Sequence, residues 1–342
     1  MILRSIKGII VTGAIASLVM PLAACGGSGV ASDAGVQLRI QVFPSSLVSF
    51  YPQVASEKGI FKKNNLDVSL VPVATATEAV SAMQAGSLDL APSTSDNFVV
   101  AKSKGVDAVA VAANTQESVF QVVASSKYVA AGGSVDAKVK AMAGSPIAVY
   151  GRGGGSDRSI DLLFKSAAIS AQPDFVIAGG AKTISAFEAG KVDFASDTVQ
   201  IADLLQAAGQ GGTYINCAVD NCGAGQADLS KQLYWTTAKF AAAQPETVKR
   251  FITAMDDTAE WVHDPQNKAD VVAELKKLFP APAGIDSDKY ANLLYESQLQ
   301  LLNSTAVDPS IIKTSMDQLL EVGQLKNPVD VKSMVWSGAP VK

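Results

Sequence analysis

The sequence predicts an α/β protein with two α/β lobes around a ligand cleft, joined by two hinge crossings, and three observations carry that expectation. The first is an internal repeat. Ser81-Ala82-Met83-Gln84-Ala85-Gly86-Ser87-Leu88-Asp89-Leu90-Ala91 recurs 104 residues later as Ser185-Ala186-Phe187-Glu188-Ala189-Gly190-Lys191-Val192-Asp193-Phe194-Ala195, and a threonine, Thr94 or Thr198, follows each copy. Each copy reads as a helix end, a glycine cap with positive φ and a short buried strand whose Leu88 and Leu90, or Val192 and Phe194, alternate. The second observation is the βαβαβ grammar of residues 37–91, which belongs to a parallel or mixed sheet with helices on both faces. The third is Leu233-Tyr234-Trp235-Thr236, a strand that returns the chain to the first lobe after the second copy. Crossings are thus expected near residues 124 and 230, where they form a hinge. Ligands of open α/β sheets bind beyond the carboxyl ends of the strands, so residues 92–97 and 196–200 are expected as matching loops facing one cleft.

The elements follow in order. Leu38, Ile40 and Val42 alternate in a first strand, which runs into the punctuating loop Pro44-Ser45-Ser46. Residues 50–58 read as a helix capped by Gly59, with Ile60 and Phe61 tucked against it. A strand at 66–73, a helix at 77–85 opened by Thr77 and Glu78, and a strand at 88–91 complete the first unit. Strands at 106–112 and 120–124 come next, then a link at 128–143 with a short helix. Pro146-Ile147-Ala148-Val149-Tyr150 opens the second lobe. The last third is helical: Pro245 and Pro309 each stand at the first position of a helix, after Gln244 and Asp308, and helices at 269–279 and 287–302 lie between. These helices are expected to pad the first lobe. Residues 37–124 and 230–342 form lobe one, and 125–229 form lobe two.

The amino terminus carries Arg4 and Lys7, an uncharged apolar stretch over 8–20, and then Pro21-Leu22-Ala23-Ala24-Cys25-Gly26. This is the pattern of a signal peptide over 1–24, too short for the ~20 apolar residues of a spanning helix. Leu22-Ala23-Ala24-Cys25 resembles the lipobox of bacterial lipoproteins, which implies lipidation of Cys25 and an extracytoplasmic protein anchored to the cell membrane. Ordinary cleavage beside a chance cysteine is the alternative. Residues 25–36, rich in Gly, Ser and Ala, read as a flexible tether. Loss of Arg4 and Lys7 with the leader leaves 26 basic against 32 acidic residues, a net charge of −6 without a basic run, which excludes nucleic acid as a partner. Cys217 and Cys222 are then the remaining cysteines, and outside the cytoplasm they most simply form a disulfide. A metal or redox pair is the rival reading, but a chain with one histidine does not complete an ordinary zinc site.

Ala55-Ser56-Glu57-Lys58-Gly59-Ile60-Phe61-Lys62-Lys63-Asn64-Asn65-Leu66-Asp67-Val68 is similar to a signature of the substrate-binding proteins of ABC importers for nitrate, sulfonates, taurine and thiamine precursors. Residues 78–91, the Pro245-Glu246-x-Val248-x-x-Phe251 core and Asp264-Pro265 extend the resemblance over nearly the whole mature chain. It implies a type II periplasmic-binding-protein fold that closes on a small-molecule solute and delivers it to the membrane permease of an ABC importer. No cofactor, metal or catalytic residue is expected, and a monomer is.

Site candidates come from the expected strand ends. Gly151-Arg152-Gly153-Gly154-Gly155-Ser156-Asp157-Arg158 follows a strand and precedes a helix, so its backbone N–H groups and the Ser156 hydroxyl offer an anion site near Gly155. A flexible loop in which Ser156 only caps the helix is the competing reading. Arg152 is the candidate bidentate partner of a sulfonate or carboxylate, whereas Arg158, inside the helix, reads as a solvated surface charge. Ser45 and Ser46, with Ser93, Thr94 and Ser95, would face the loop from lobe one with hydroxyls that suit a neutral or anionic ligand. Asp197 and Thr198 end the second repeat strand, where Asp197 either accepts from an amino group of a zwitterion or caps a helix. Asp89 and Asp193 read as structural. Trp235, with Phe43 and Tyr51, would wall the pocket or belong to the core. A small organic anion is the expected solute and a vitamin or pyrimidine precursor the alternative. An enzyme or a ligand sensor on the same fold is the rival class, disfavoured by the lone peripheral His263.

Overall fold

The computed structural model describes residues 36–223, 226–228 and 230–342. The expected leader, Cys25 and nearly all of the tether lie outside the described residues.

The alternation at Leu38 and Ile40 builds β1 (Val36–Val42), which passes through a one-turn helix (Leu47–Ser49) into α1 (Phe50–Glu57) and α2 (Ile60–Lys63). β2 (Leu66–Pro72), α3 (Ala76–Gln84), β3 (Ala91–Thr94), α4 (Ser95–Ser103) and β4 (Ala108–Ala113) complete the first run. The chain then forms β5 (Phe120–Ser125), α5 (Ser126–Ala131), α6 (Val135–Met142), β6 (Pro146–Val149), α7 (Gly155–Ser166), β7 (Asp174–Ile177), α8 (Ala181–Glu188), β8 (Phe194–Thr198), α9 (Val199–Ala208) and β9 (Gly211–Ile215). β10 (Gln232–Thr237) and α10 (Ala238–Ala243) lead into the long helices α11 (Pro245–His263), α12 (Lys268–Leu278), α13 (Ser287–Leu301) and α14 (Pro309–Glu321).

Two sheets of the same order result. In lobe two the order is β7-β6-β8-β5-β9, with β5 antiparallel to both neighbours. In lobe one β2 and β1 pair in parallel, a bridge between Ile40 and Leu90 joins β1 to the β3 side, and β3-β10-β4 follows with β10 antiparallel. The order β2-β1-β3-β10-β4 therefore matches β7-β6-β8-β5-β9 strand for strand. Even the register shifts agree, at Tyr234/Trp235 and at Val122/Val123. The repeat explains the match: Gly86 and Gly190 close their helices at φ 69° and 62°, where a side chain would be strained.

Three expectations need correction. β5 belongs to the second sheet, so the outgoing crossing is residues 114–119, not a point near 124. An alternating strand reads alike in either lobe, and only its pairing with β8 and β9 assigns it. The repeat strands also lie further along than expected: Leu88 and Val192 precede β3 and β8, the ladder to β10 carries β3 to Thr94, and residues 92–94 and 196–198 are strand, so the following helices begin at once. Finally, α3 is opened by Thr75, which forms a capping box with Glu78.

The outgoing and returning crossings lie side by side. Gln232 O accepts from the backbone N–H of Asn114 (2.9 Å) and Thr115 (3.0 Å), and Gln232 N–H donates to Thr115 Oγ1 at 2.9 Å. The returning crossing follows a loop closed by the Cys217–Cys222 disulfide.

Lobe one holds the larger core. Trp235 is fully buried and stacks on Phe98 with ring centroids 4.6 Å apart, and Tyr234 meets Phe251 edge-on at 4.8 Å. Val248, Phe251 and Met255 of α11, Leu294 of α13 and Ile312 of α14 seal this core, as the expected padding role requires. Lobe two has a cluster on each sheet face. Val122, Ile147 and Phe194 point one way, while their chain neighbours Val123, Ala148 and Ala195 point the other. The segment after α14 covers the free edge of β4: Trp336 N–H donates to Ala110 O at 2.9 Å, and Val341 bridges Val307.

Trp235→Ala should destabilise the protein by about 3–5 kcal/mol in urea denaturation, with Trp235→Phe losing much less. A Trp235→Ala variant as stable as the parent would remove this side chain from the core.

Candidate functional site

Glycines decide the shape of the lobe-two strand ends. At Gly155, the first residue of α7, an added Cβ would sit 2.8 Å from Ser230 Oγ and 3.3 Å from the Phe120 ring, so the crossing segments approach this backbone because it has no side chain. At Gly179 an added Cβ would fall 2.5 Å from the Tyr150 ring. Tyr150, directly after β6, thus lies flat on the Gly179-Gly180 backbone. Its ring is 5.6 Å from that of Phe120, and the residue is 45% exposed, the largest aromatic so exposed among the described residues.

Asp197 is fully buried beneath this ring. It accepts from Thr198 N–H (2.7 Å), Gly180 N–H (3.1 Å) and the Thr183 hydroxyl, and the Tyr150 hydroxyl reaches it as well. Burial pushes its carboxyl up to about 6, against the opposing pull of these donors. The same enclosure, with the Asp197 charge, pushes the Tyr150 phenol up. Asp197 therefore ties the start of α8 to β8, and Thr198, which N-caps α9, completes the cluster.

The glycine loop is more self-satisfied than its sequence implies. Asp157 accepts from Gly153 N–H at 2.7 Å and Gly154 N–H at 2.9 Å, occupying two of the donors expected to meet an anion. Ser156 is buried, and its hydroxyl accepts from Tyr150 N–H at 3.0 Å. Arg152 lies over the Phe175 ring at 4.2 Å, with Nε 3.5 Å from Asp157, and is not brought to the cluster.

Arg158 corrects the surface reading outright. It is buried, its Nη1 donates to Asp96 at 2.5 Å, and Nη2 donates to Gln324 at 2.7 Å and to Gly153 O at 3.3 Å. Asp96 and Gln324 belong to lobe one, so this guanidinium crosses the cleft. The helix it sits on dips towards the other lobe, a fact of tertiary placement that its local sequence does not carry.

From lobe one, Ser45 and Leu47 meet α9, with Ser46 between them. Gln200 Nε2 donates to Ser45 O at 3.2 Å, and Gln200 Oε1 accepts from Leu47 N–H at 2.9 Å. Ser93 and Thr94 both accept from Asn97 Nδ2, at 3.1 and 2.9 Å, while Ser95 carries a buried hydroxyl without a partner. Trp235 reaches this group only through its indole N–H, 3.3 Å from Ser93 O, and presents no face to the cleft. Tyr51 is likewise core. The structure therefore gathers Ser156, Asp197 and Thr198 around Tyr150, sets Gly155 against Phe120 and Ser230, and brings Ser45 to a lobe contact. Ser46, Ser93 and Thr94 bond within lobe one, and Ser95 stands beside Asp96. Tyr150, Phe120, Asp96 and Gln200 were missed. A signal existed for the last two: they stand two residues after the repeated threonines.

Residues 50–269 match the family model described as NMT1/THI5 like. The chain belongs to the NMT1/THI5-like family. This NMT1/THI5-like chain is similar in fold to the periplasmic aliphatic sulphonate-binding protein SsuA of Escherichia coli, at 15% identity and TM-score 0.68 over 90% of this chain and 94% of that one. It is also similar to the periplasmic nitrate-binding protein NrtA of Synechocystis, at 13% identity and TM-score 0.67 over 87% and 84%. A Candida albicans gene product with the generic periplasmic binding protein fold matches at 14% identity and TM-score 0.61 over 90% and 97%. No curated protein matches the sequence. The NMT1/THI5-like chain thus has the periplasmic-binding-protein fold.

One further acid lies where the lobes of this NMT1/THI5-like protein touch. Asp203 of α9 is buried and accepts from Ser297 Oγ of α13 at 2.7 Å, and Lys289 Nζ of α13 donates to Gln206 O and Ala207 O at the end of α9. Burial raises the Asp203 carboxyl from 3.8 to about 7. Because the folded value lies above the unfolded one, this group costs nothing below about pH 4, and its cost grows from there to about pH 7 and levels off above. Asp203→Asn should therefore gain stability over the parent between pH 5 and 8, by up to about 4 kcal/mol, in thermal unfolding across that range. A difference that does not change with pH would show that Asp203 does not titrate there.

Proposed function

We propose that the protein is an extracytoplasmic solute-binding protein of an ABC importer, anchored through lipid on Cys25, that closes its lobes on one small solute and delivers it to a membrane permease. It acts as a monomer and without catalysis. The observation that carries this reading is the pair of matching strand ends, each of which reaches across to the opposite lobe: Asp96 to Arg158 and Gln200 to Leu47. A ligand held between such strand ends adds contacts that exist only when the lobes are together, so it shifts the population towards closure. The fold shared with proteins named for sulphonate and nitrate binding supports the same reading.

The geometry favours an organic solute with a flat apolar part, of the vitamin- or pyrimidine-precursor kind. Tyr150 offers an exposed ring beside Phe120, and the buried charges nearby are already compensated, Arg158 by Asp96 and Asp197 by four donors. One observation favours the organic-anion alternative of sulfonate, taurine, nitrate or carboxylate type: the unpartnered Ser230 hydroxyl over Gly155 at the start of α7.

Thermal shifts against pyrimidines, flavin precursors, aromatic carboxylates, sulfonates and nitrate separate the two. A solute at about 100 times its dissociation constant should add roughly 2.7 kcal/mol of stability. The expected result is a saturable shift with the ring compounds, whose affinity falls about tenfold or more in Tyr150→Ala, with circular dichroism showing that the variant is folded. A shift with nitrate or a small sulfonate that Tyr150→Ala leaves intact would overturn the ring-binding reading. For the anchor, Cys25→Ser should move the protein from the membrane fraction to the soluble one, and continued membrane retention would refute lipidation at that position.

A further inference from the structure

The contacts that hold the lobes together repeat with the same 104-residue offset as the sequence. Thr94 and Thr198 are the N-caps of α4 and α9, and Asp96 and Gln200 each stand two residues beyond. Both helices follow the repeat strand of their own lobe, β3 or β8, and both strands hold the third place in matching sheets. From these equivalent positions the side chains reach equivalent targets. Asp96 pairs with Arg158 in the first turns of α7, the helix after β6, which holds the second place in the lobe-two order as β1 does in lobe one. Gln200 clamps Ser45 O and Leu47 N–H in the passage from β1, the first strand of lobe one, into its helical segment. Each is backed by a late lobe-one residue: Gln324 accepts from Arg158, and the Tyr290 hydroxyl bonds Gln200.

We infer that Asp96 and Gln200 are a duplicated clasp, two positioning residues at symmetry-related sites that hold the closed form and set its affinity for solute; this rests on the reading of the protein as a closing solute-binding protein.

The two halves work by different physics. Opening returns Arg158 and Asp96 to water, so the closed form is tolerable only while both charges are present, and removal of one leaves the other buried and alone. That makes Asp96 selective for a fully seated closure. The Gln200 amide satisfies a backbone donor and a backbone acceptor at once without charge, on a side chain that is only partly buried, so it is the gentler of the two. Their common position in the fold means that one rigid rotation about the crossings engages both together.

The test reads lobe separation directly and without added solute. Spin labels on Lys104→Cys in lobe one and Lys182→Cys in lobe two, both exposed, report a distance distribution in protein carrying Cys25→Ser. The parent should show a short-distance population. Asp96→Asn and Gln200→Ala should each raise the open-to-closed ratio, by about tenfold for Asp96→Asn, and the double variant should open further, with circular dichroism and unfolding midpoint showing that all remain folded. Gln200→Ala keeps the test decisive if Asp96→Asn folds poorly. A double-variant distribution that coincides with the parent's overturns the clasp, as does a parent already open and indifferent to both changes. A solute panel without a hit would count against the solute reading and leave these distances standing. A saturating solute whose affinity ignores both substitutions would do the reverse.

Discussion

Each lobe completes its sheet with a strand that arrives from the other lobe. β5 enters lobe two straight after the outgoing crossing, β10 enters lobe one straight after the returning one, and each lies antiparallel between two strands of its new sheet. Neither sheet closes without the crossing that feeds it. Because Gln232 is bonded to both Asn114 and Thr115, the two crossings are also bound to each other just where they leave lobe one. Lobe movement is thereby directed to the short stretches beyond this junction, which also carry Ser118 and Ser230 and run directly into Phe120. The hinge and one wall of the candidate site are the same few residues. A rotation of the lobes moves Ser230 of the returning crossing relative to Gly155, so site geometry and lobe angle are not independent quantities.

The charges between the lobes follow one rule: each has its partner when the lobes are together. Arg158 has Asp96, and Asp157 has the Gly153 and Gly154 N–H groups. Lys289 serves the carbonyl end of α9, where a cation is favoured. Asp203 is the exception, with a single hydroxyl donor, and its raised pKa is the mark of that shortage. An interface so arranged discriminates sharply between seated and unseated states, because partial separation leaves polar groups half-solvated and half-paired.

How far the sequence alone reaches depends on whether a feature is local. The repeat showed that a strand follows Gly86 and Gly190 but not where it begins, whereas these two glycines and the Pro245 and Pro309 helix starts were legible because caps are written within a few residues. So was the equivalence of the two strand-end loops, which the repeat states outright. The lobe of β5 was not legible, since Val122 and Val123 alternate identically whichever sheet receives them. Arg158 misled for a related reason: a basic residue in a helix reads as solvated unless the opposing Asp96, 62 residues away, is known to face it. Trp235 read as a pocket wall or a core residue because it lies near a strand end, and complete burial with stacking on Phe98 commits it to the core of lobe one. Tyr150 was passed over, and the signal lay in Gly179-Gly180, a pair whose missing side chains leave room for a ring.

The matching sheets differ at their outer edge. In lobe one the last strand of the order, β4, is covered by Val335 and Trp336, while Val341 and Lys342 bind back to Val307. An uncovered β-edge is a template for pairing with another chain. The final stretch therefore works as a built-in edge guard, occupying backbone groups of Ala110 that would otherwise recruit a strand from a neighbour. A sheet whose border is sealed by its own chain keeps encounters between copies of the protein brief.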